Sequence, residues 1–212
     1  MSTLDRLALF GVIPVVVIDD AAQATLLADA LVAGGLPVAE ITFRTAAAAD
    51  AIRAIATRGD MLVGAGTVLT PDQVSQAVDA GAQYIVSPGT SRAVVQRAQQ
   101  LGVPVIPGAV TATEIQAVLE LGLTTCKFFP AEASGGASAI KALAAPFNSV
   151  RFIPTGGVTP ENLASYLALP AVAAVGGSWM VKPELLNTGA YDKITALTVD
   201  AVARVAAMRS AR

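Results

Sequence analysis

Apolar residues in this chain follow two alternating patterns. Ala-rich stretches carry them at helical spacing with polar positions between, whereas short runs such as Ile13-Pro14-Val15-Val16-Val17-Ile18 are apolar throughout. The first pattern predicts amphipathic helices with one buried face. The second predicts strands covered on both faces, as in a parallel sheet flanked by helices. Glycines punctuate the passage from helix to strand: Ala33-Gly34-Gly35 before Val38, Ala80-Gly81 before Tyr84, Leu101-Gly102 before Val103 and Leu121-Gly122 before Thr124. Such a glycine supplies the left-handed stop of a helix.

Strands are expected to start near Val12, Val38, Met61, Tyr84, Val103, Thr125, Arg151 and Val172, each followed by a helical stretch. Thr70-Pro71-Asp72, Thr111-Ala112-Thr113-Glu114 and Thr159-Pro160-Glu161 mark helix starts, with threonine in the capping position. Eight consecutive strand–helix units without a composition break predict a single-domain α/β (β/α)8 TIM barrel over residues 1–212. A helix from about Leu4 to Phe10 and another from about Ala190 to Met208 would be added at its ends. The competing architecture, a doubly wound open sheet, would need a dinucleotide fingerprint. Gly64-Ala65-Gly66-Thr67-Val68-Leu69-Thr70 lacks the third glycine, and no acidic residue ends a clear second strand about 20 residues on.

Composition narrows the chemistry. The chain is 54% hydrophobic and only 14% charged, which implies a large core and apolar surface for other subunits to cover. A net charge of −2 leaves no basic field for nucleic acid or anionic membrane. Neither an uninterrupted run of 18 apolar residues nor a signal-peptide pattern at Met1-Ser2-Thr3-Leu4-Asp5-Arg6 is present, so a soluble, cytoplasmic protein is expected. The single cysteine, Cys126, rules out an intramolecular disulfide and fits a reducing compartment. There is no histidine. A Ser-His-Asp triad is therefore impossible, a zinc or iron site is not expected, and proton transfer falls to carboxylates, lysine, tyrosine or water.

Against that background Lys127 stands out. It is one of four lysines, and it sits inside the apolar segment Thr124-Thr125-Cys126-Lys127-Phe128-Phe129-Pro130-Ala131-Glu132. Burying an ammonium is costly, and desolvation favours the neutral amine that a Schiff-base nucleophile must be. The alternative is a strand-end lysine that snorkels to water or pairs with a buried carboxylate. Other unusual residues gather at the expected carboxyl ends of strands, which in a barrel share one mouth. Glu40 lies in an apolar run and reads as a general acid/base or as the counter-ion of Lys127. Arg44, past the end of that strand, reads as a bidentate partner for a substrate carboxylate or as a solvated surface charge. Thr67 offers a hydroxyl or a helix N-cap. Gly156-Gly157 and Gly176-Gly177-Ser178 follow strands seven and eight, where barrels build phosphate sites from backbone N–H groups; plain turns are the alternative. Of the aromatics, Phe129 is expected to line the pocket, with Phe128 and Trp179 as filler.

Together these residues resemble the family of 2-keto-3-deoxy-6-phosphogluconate (KDPG) aldolases, class I enzymes of the Entner–Doudoroff pathway. The resemblance is carried by Glu40-Ile41-Thr42-Phe43-Arg44-Thr45, Gly64 to Leu69, Ser87-Pro88-Gly89, Lys127-Phe128-Phe129-Pro130-Ala131-Glu132, Pro154-Thr155-Gly156-Gly157 and Gly176-Gly177-Ser178-Trp179. It implies a metal-independent, cofactor-free lyase that cleaves KDPG to pyruvate and glyceraldehyde 3-phosphate. Lys127 would form the Schiff base and Glu40 would be the acid/base. Arg44 and Thr67 would hold the pyruvate carboxylate, Pro88 would line that end, and Gly156, Gly157, Gly177 and Ser178 would bind phosphate. The resemblance also implies a homotrimer, and Thr155 points to the gluconate rather than the galactonate isomer. Related substrates are 2-dehydro-3-deoxy-6-phosphogalactonate and 4-hydroxy-2-oxoglutarate. A phosphosugar isomerase or a non-catalytic phosphosugar sensor would share the glycines but would not need a lysine buried on strand six.

Overall fold

The apolar runs form parallel strands in a computed structural model that describes residues 1–210. These are β1 (Val12–Val16), β2 (Val38–Thr42), β3 (Leu62–Gly66), β4 (Ile85–Val86), β5 (Val105–Ile106), β6 (Thr125–Phe128), β7 (Arg151–Pro154) and β8 (Val175–Gly177). Six of them make one sheet in the order β5-β4-β3-β2-β1-β8, and β6 and β7 make a second. Isolated parallel bridges join the two sheets at both junctions, Gly108 with Lys127 and Thr155 with Gly176. Neighbours in sequence are neighbours in space, and β1 pairs with both β2 and β8. That order has no reversal point of the kind a doubly wound sheet uses to bind dinucleotides.

Strands start within three residues of their expected positions. β4, β5 and β8 start later than expected because only two or three of their residues enter the ladder. Val172 instead forms a lone bridge with Phe152. Between the strands run α1 (Thr3–Phe10), α2 (Ala24–Ala33), α3 (Ala48–Arg58), α4 (Pro71–Asp79), α5 (Arg92–Gln100), α6 (Ala112–Glu120), α7 (Gly136–Ala144), α8 (Leu163–Leu167), α9 (Pro183–Asn187) and α10 (Tyr191–Ser210). The glycines Gly35, Gly81, Gly102 and Gly122 all take positive φ where a helix stops, as the sequence requires.

Two of the three expected caps form. The Thr70 hydroxyl accepts from Gln73 N at 3.2 Å, and Thr111 and Glu114 make a reciprocal capping box. The third differs. Thr159 N donates to Asn162 Oδ1, a turn follows, and α8 begins only at Leu163. At the other end, the Arg209 guanidinium on α10 donates to the carbonyls of Ala8 and Leu9, closing off the C-terminus of α1. Among the described residues, no helix is long and apolar enough to cross a membrane.

Candidate active site

Strand periodicity decides which side chains face one another. On β2, Val38, Glu40 and Thr42 share one face, and on β6 Thr125 and Lys127 do. The two faces meet: Lys127 Nζ lies 3.0 Å from Glu40 Oε1, across 87 positions of sequence. Both side chains are buried, at 6% and 4% exposure. The lysine is thus paired rather than solitary, and the counter-ion reading and the acid/base reading describe the same contact. At 3.0 Å the carboxylate stands within reach of a proton on the amine, the geometry a general acid/base requires.

Several neighbours fix that pair. Lys127 N donates to Pro107 O at 2.8 Å, and its own carbonyl accepts from Ala109 N at 2.9 Å. The ring of Phe129 lies 5.3 Å from Nζ, within cation–π range. Behind Glu40 the fully buried Tyr84 donates its hydroxyl to Ala39 O at 2.8 Å. Burial, and then the charge of Glu40, push this phenol well above its ordinary range, so it stays a neutral donor. Its ring fits only because position 64 is glycine: a Cβ there would stand 2.3 Å from a ring carbon. Cys126 points to the opposite face of β6, and burial alone raises its thiol to about 12, so it stays protonated and inert.

Beside Phe129 opens a cavity of about 310 Å³. Eight candidates from the sequence line it: Arg44, Phe129, Thr155, Gly156, Gly157, Gly176, Gly177 and Ser178. Arg44 is exposed and forms no ion pair or side-chain hydrogen bond with any described residue, which leaves its donors available. Thr155 is buried, and its hydroxyl oxygen has no partner among the described residues. Gly156 and Gly157 take φ of 97° and 80°, a backbone shape closed to most side chains. Val15, Val17, Val158, Val181 and Pro183 complete the wall. Sequence reasoning missed these because an apolar residue at a strand end or in the loop beyond it reads as core.

Thr67 and Pro88 are not in this cavity. Pro88 lines a separate one of about 210 Å³ with Ser87 and Gly89. Thr67 follows β3 and is the one non-glycine with positive φ, 55°, among the described residues. Its capping alternative falls away, because Thr70 is the N-cap of α4. A β-branched residue held in this region costs roughly 1–3 kcal/mol, a strain that clusters at functional sites.

The KDPG and KHG aldolase family model matches residues 4–197. The chain belongs to this family. Its 2-dehydro-3-deoxy-phosphogluconate aldolase from Treponema pallidum is 50% identical over 188 residues, 88% of this chain and 90% of that protein. The KDPG aldolase of Legionella pneumophila, solved with pyruvate captured as a covalent carbinolamine intermediate, matches with a TM-score of 0.90 and 42% identity. That match covers 93% of this chain and 97% of the other. The Zymomonas mobilis KDPG aldolase, solved with 3-phosphoglycerate, matches with a TM-score of 0.88 and 43% identity over 95% of both chains.

Proposed function

We propose that this chain is a class I aldolase that cleaves 2-dehydro-3-deoxy-6-phosphogluconate to pyruvate and glyceraldehyde 3-phosphate, with Lys127 the nucleophile and Glu40 the general acid and base. The buried 3.0 Å contact between these two side chains carries the reading. Family membership supports it, as does the covalent pyruvate adduct in the Legionella relative.

The reaction begins when Lys127 passes a proton to Glu40 and attacks the C2 carbonyl of the substrate. A proton moves from nitrogen to oxygen to give a neutral carbinolamine. Glu40 then protonates the departing hydroxyl, which leaves as water, and an iminium remains. The Glu40 carboxylate takes the C4 hydroxyl proton. The C3–C4 bond breaks, its electrons flow into the iminium, and glyceraldehyde 3-phosphate leaves. Glu40 returns the proton to C3 of the enamine, and water releases pyruvate and the amine. The iminium is the electron sink, so the step asks for no metal ion.

Arg44 and Thr67 hold the carboxylate in this reading, with Pro88 closing that end; the parts of Thr67 and Pro88 rest on the family resemblance, since neither lines the cavity of Arg44. Gly156, Gly157, Gly177 and Ser178 hold the phosphate, an assignment supported by their shared cavity and by the phosphorylated acid bound to the Zymomonas relative. The unpartnered hydroxyl of Thr155 in the cavity wall suits a substrate hydroxyl, in keeping with the gluconate isomer. We further read the two sheets as one closed (β/α)8 barrel in a single domain. The bridges at Gly108–Lys127 and Thr155–Gly176 support closure. Assembly as a homotrimer rests on the resemblance and the low charge content, and a cytoplasmic location on the single cysteine, which fits a reducing compartment.

A coupled assay tests the function. In the presence of a chelator, the protein should release pyruvate and glyceraldehyde 3-phosphate in equal amounts from 2-dehydro-3-deoxy-6-phosphogluconate. Failure to release either would overturn the proposal.

A further inference from the structure

Behind the proposed phosphate loop, one polar contact ties three elements together. Tyr166, fully buried on α8, donates its phenol hydrogen to Glu132 Oε1 across 34 positions of sequence. Glu132 opens the short 3-10 turn Glu132–Ser134 just after the strand that carries Lys127. Its backbone N–H donates to the carbonyl of Gly156 at 3.1 Å, and that of Ala131 donates to Thr155 at 2.8 Å. The stem of Glu132 also packs against Gly157, where an added Cβ would stand 2.5 Å from Glu132 Cγ. At the head of α7, a Cβ on Gly136 would stand 3.3 Å from Glu132 Oε1 and 3.4 Å from the Tyr166 hydroxyl. A carboxylate at a helix N-terminus is favoured by the macrodipole, and the phenol fixes which way it points. Burial, and then the hydrogen bond to Glu132, push the Tyr166 phenol above its ordinary range, so it remains a donor.

We propose that Tyr166 is a positioning residue for the phosphate end of the substrate: by holding Glu132 against Gly157, it fixes the Gly156–Gly157 backbone in the shape that receives the dianion. The inference rests on the reading of that cavity as the phosphate site. Tyr166 does not line the cavity, so it acts only through Glu132. Lys127 is held by its own bonds to Pro107 and Ala109 and by Glu40, none of which involves Tyr166. Losing the phenol should therefore loosen one end of the site and spare the other.

The test compares wild type with Tyr166→Phe, Glu132→Ala and Glu132→Gln. Inhibition by inorganic phosphate, KM and kcat for the phosphorylated substrate, and borohydride-trapped pyruvate adduct are each measured. Tyr166→Phe should weaken phosphate competition and raise KM by on the order of 10-fold, as for loss of a hydrogen bond to a charged group. Adduct yield with pyruvate should hold. Glu132 is exposed, so Glu132→Ala should fold and show the same split even if the buried phenylalanine variant does not. Glu132→Gln keeps an oxygen that accepts from the phenol and should stay within about threefold of wild type. Unchanged phosphate competition in a folded Glu132→Ala or Tyr166→Phe protein overturns the proposal, as does a parallel loss of the pyruvate adduct. If phosphate fails to compete even in wild type, the phosphate reading of the cavity falls and takes this inference with it.

Discussion

The Glu40 carboxylate fills the space that a side chain on Gly66 would need. A Cβ built on Gly66 would lie 2.1 Å from Glu40 Oε1 and 2.6 Å from its Cγ. The glycine that ends β3 therefore lets the acid of β2 reach across to Lys127. Gly66→Ala should displace that carboxylate from the amine. Turnover should fall on the order of 10²-fold, the cost of misplacing a reacting group by about 1 Å. Circular dichroism and steady-state cleavage of the phosphorylated substrate check this: a folded variant with wild-type kcat would mean the pair tolerates rearrangement.

Glu40→Gln keeps the size of the side chain and can still accept from Lys127, but it cannot cycle a proton. Turnover should drop on the order of 10²–10⁴-fold, the range for a lost general acid/base. Some adduct with pyruvate should still form under borohydride, because the amine remains. Near-normal turnover would reduce Glu40 to a structural counter-ion.

Arg44→Ala should weaken pyruvate and the full substrate together, since the carboxylate is common to both and loses a charge-assisted pair. Arg44→Lys should restore little, because a point charge does not reproduce the planar fork. The cavity places Arg44 beside Gly156, Gly157 and Ser178 as well. Unchanged pyruvate affinity combined with lost phosphate competition would move Arg44 to the other end of the substrate.

The strands and their order were legible because apolar runs bounded by glycine leave few alternatives. Lys127 and Glu40 were legible for the same reason, as charges set in runs that otherwise carry none. What the chain did not disclose depends on contacts between distant segments. Nothing in the run Gly64 to Leu69 shows that Gly66 makes room for the Glu40 carboxylate. Tyr166 sits in a short helix whose start the threonine signal misplaced, and its partner Glu132 lies 34 positions away. The left-handed backbone of Thr67 runs against the preference of a β-branched residue, so no local pattern announces it. Short strands such as β4 and β5 were placed a residue or two early, because only Ile85–Val86 and Val105–Ile106 enter their ladder.

Lys127, paired with Glu40 in the interior, is the proposed Schiff-base nucleophile. Incubation with pyruvate and borohydride, followed by intact-mass measurement and peptide mapping, locates the residue that carries the adduct. One reduced pyruvate adduct per chain is expected, located on Lys127. Label on Lys141, Lys182 or Lys193, or no adduct at all, would contradict it.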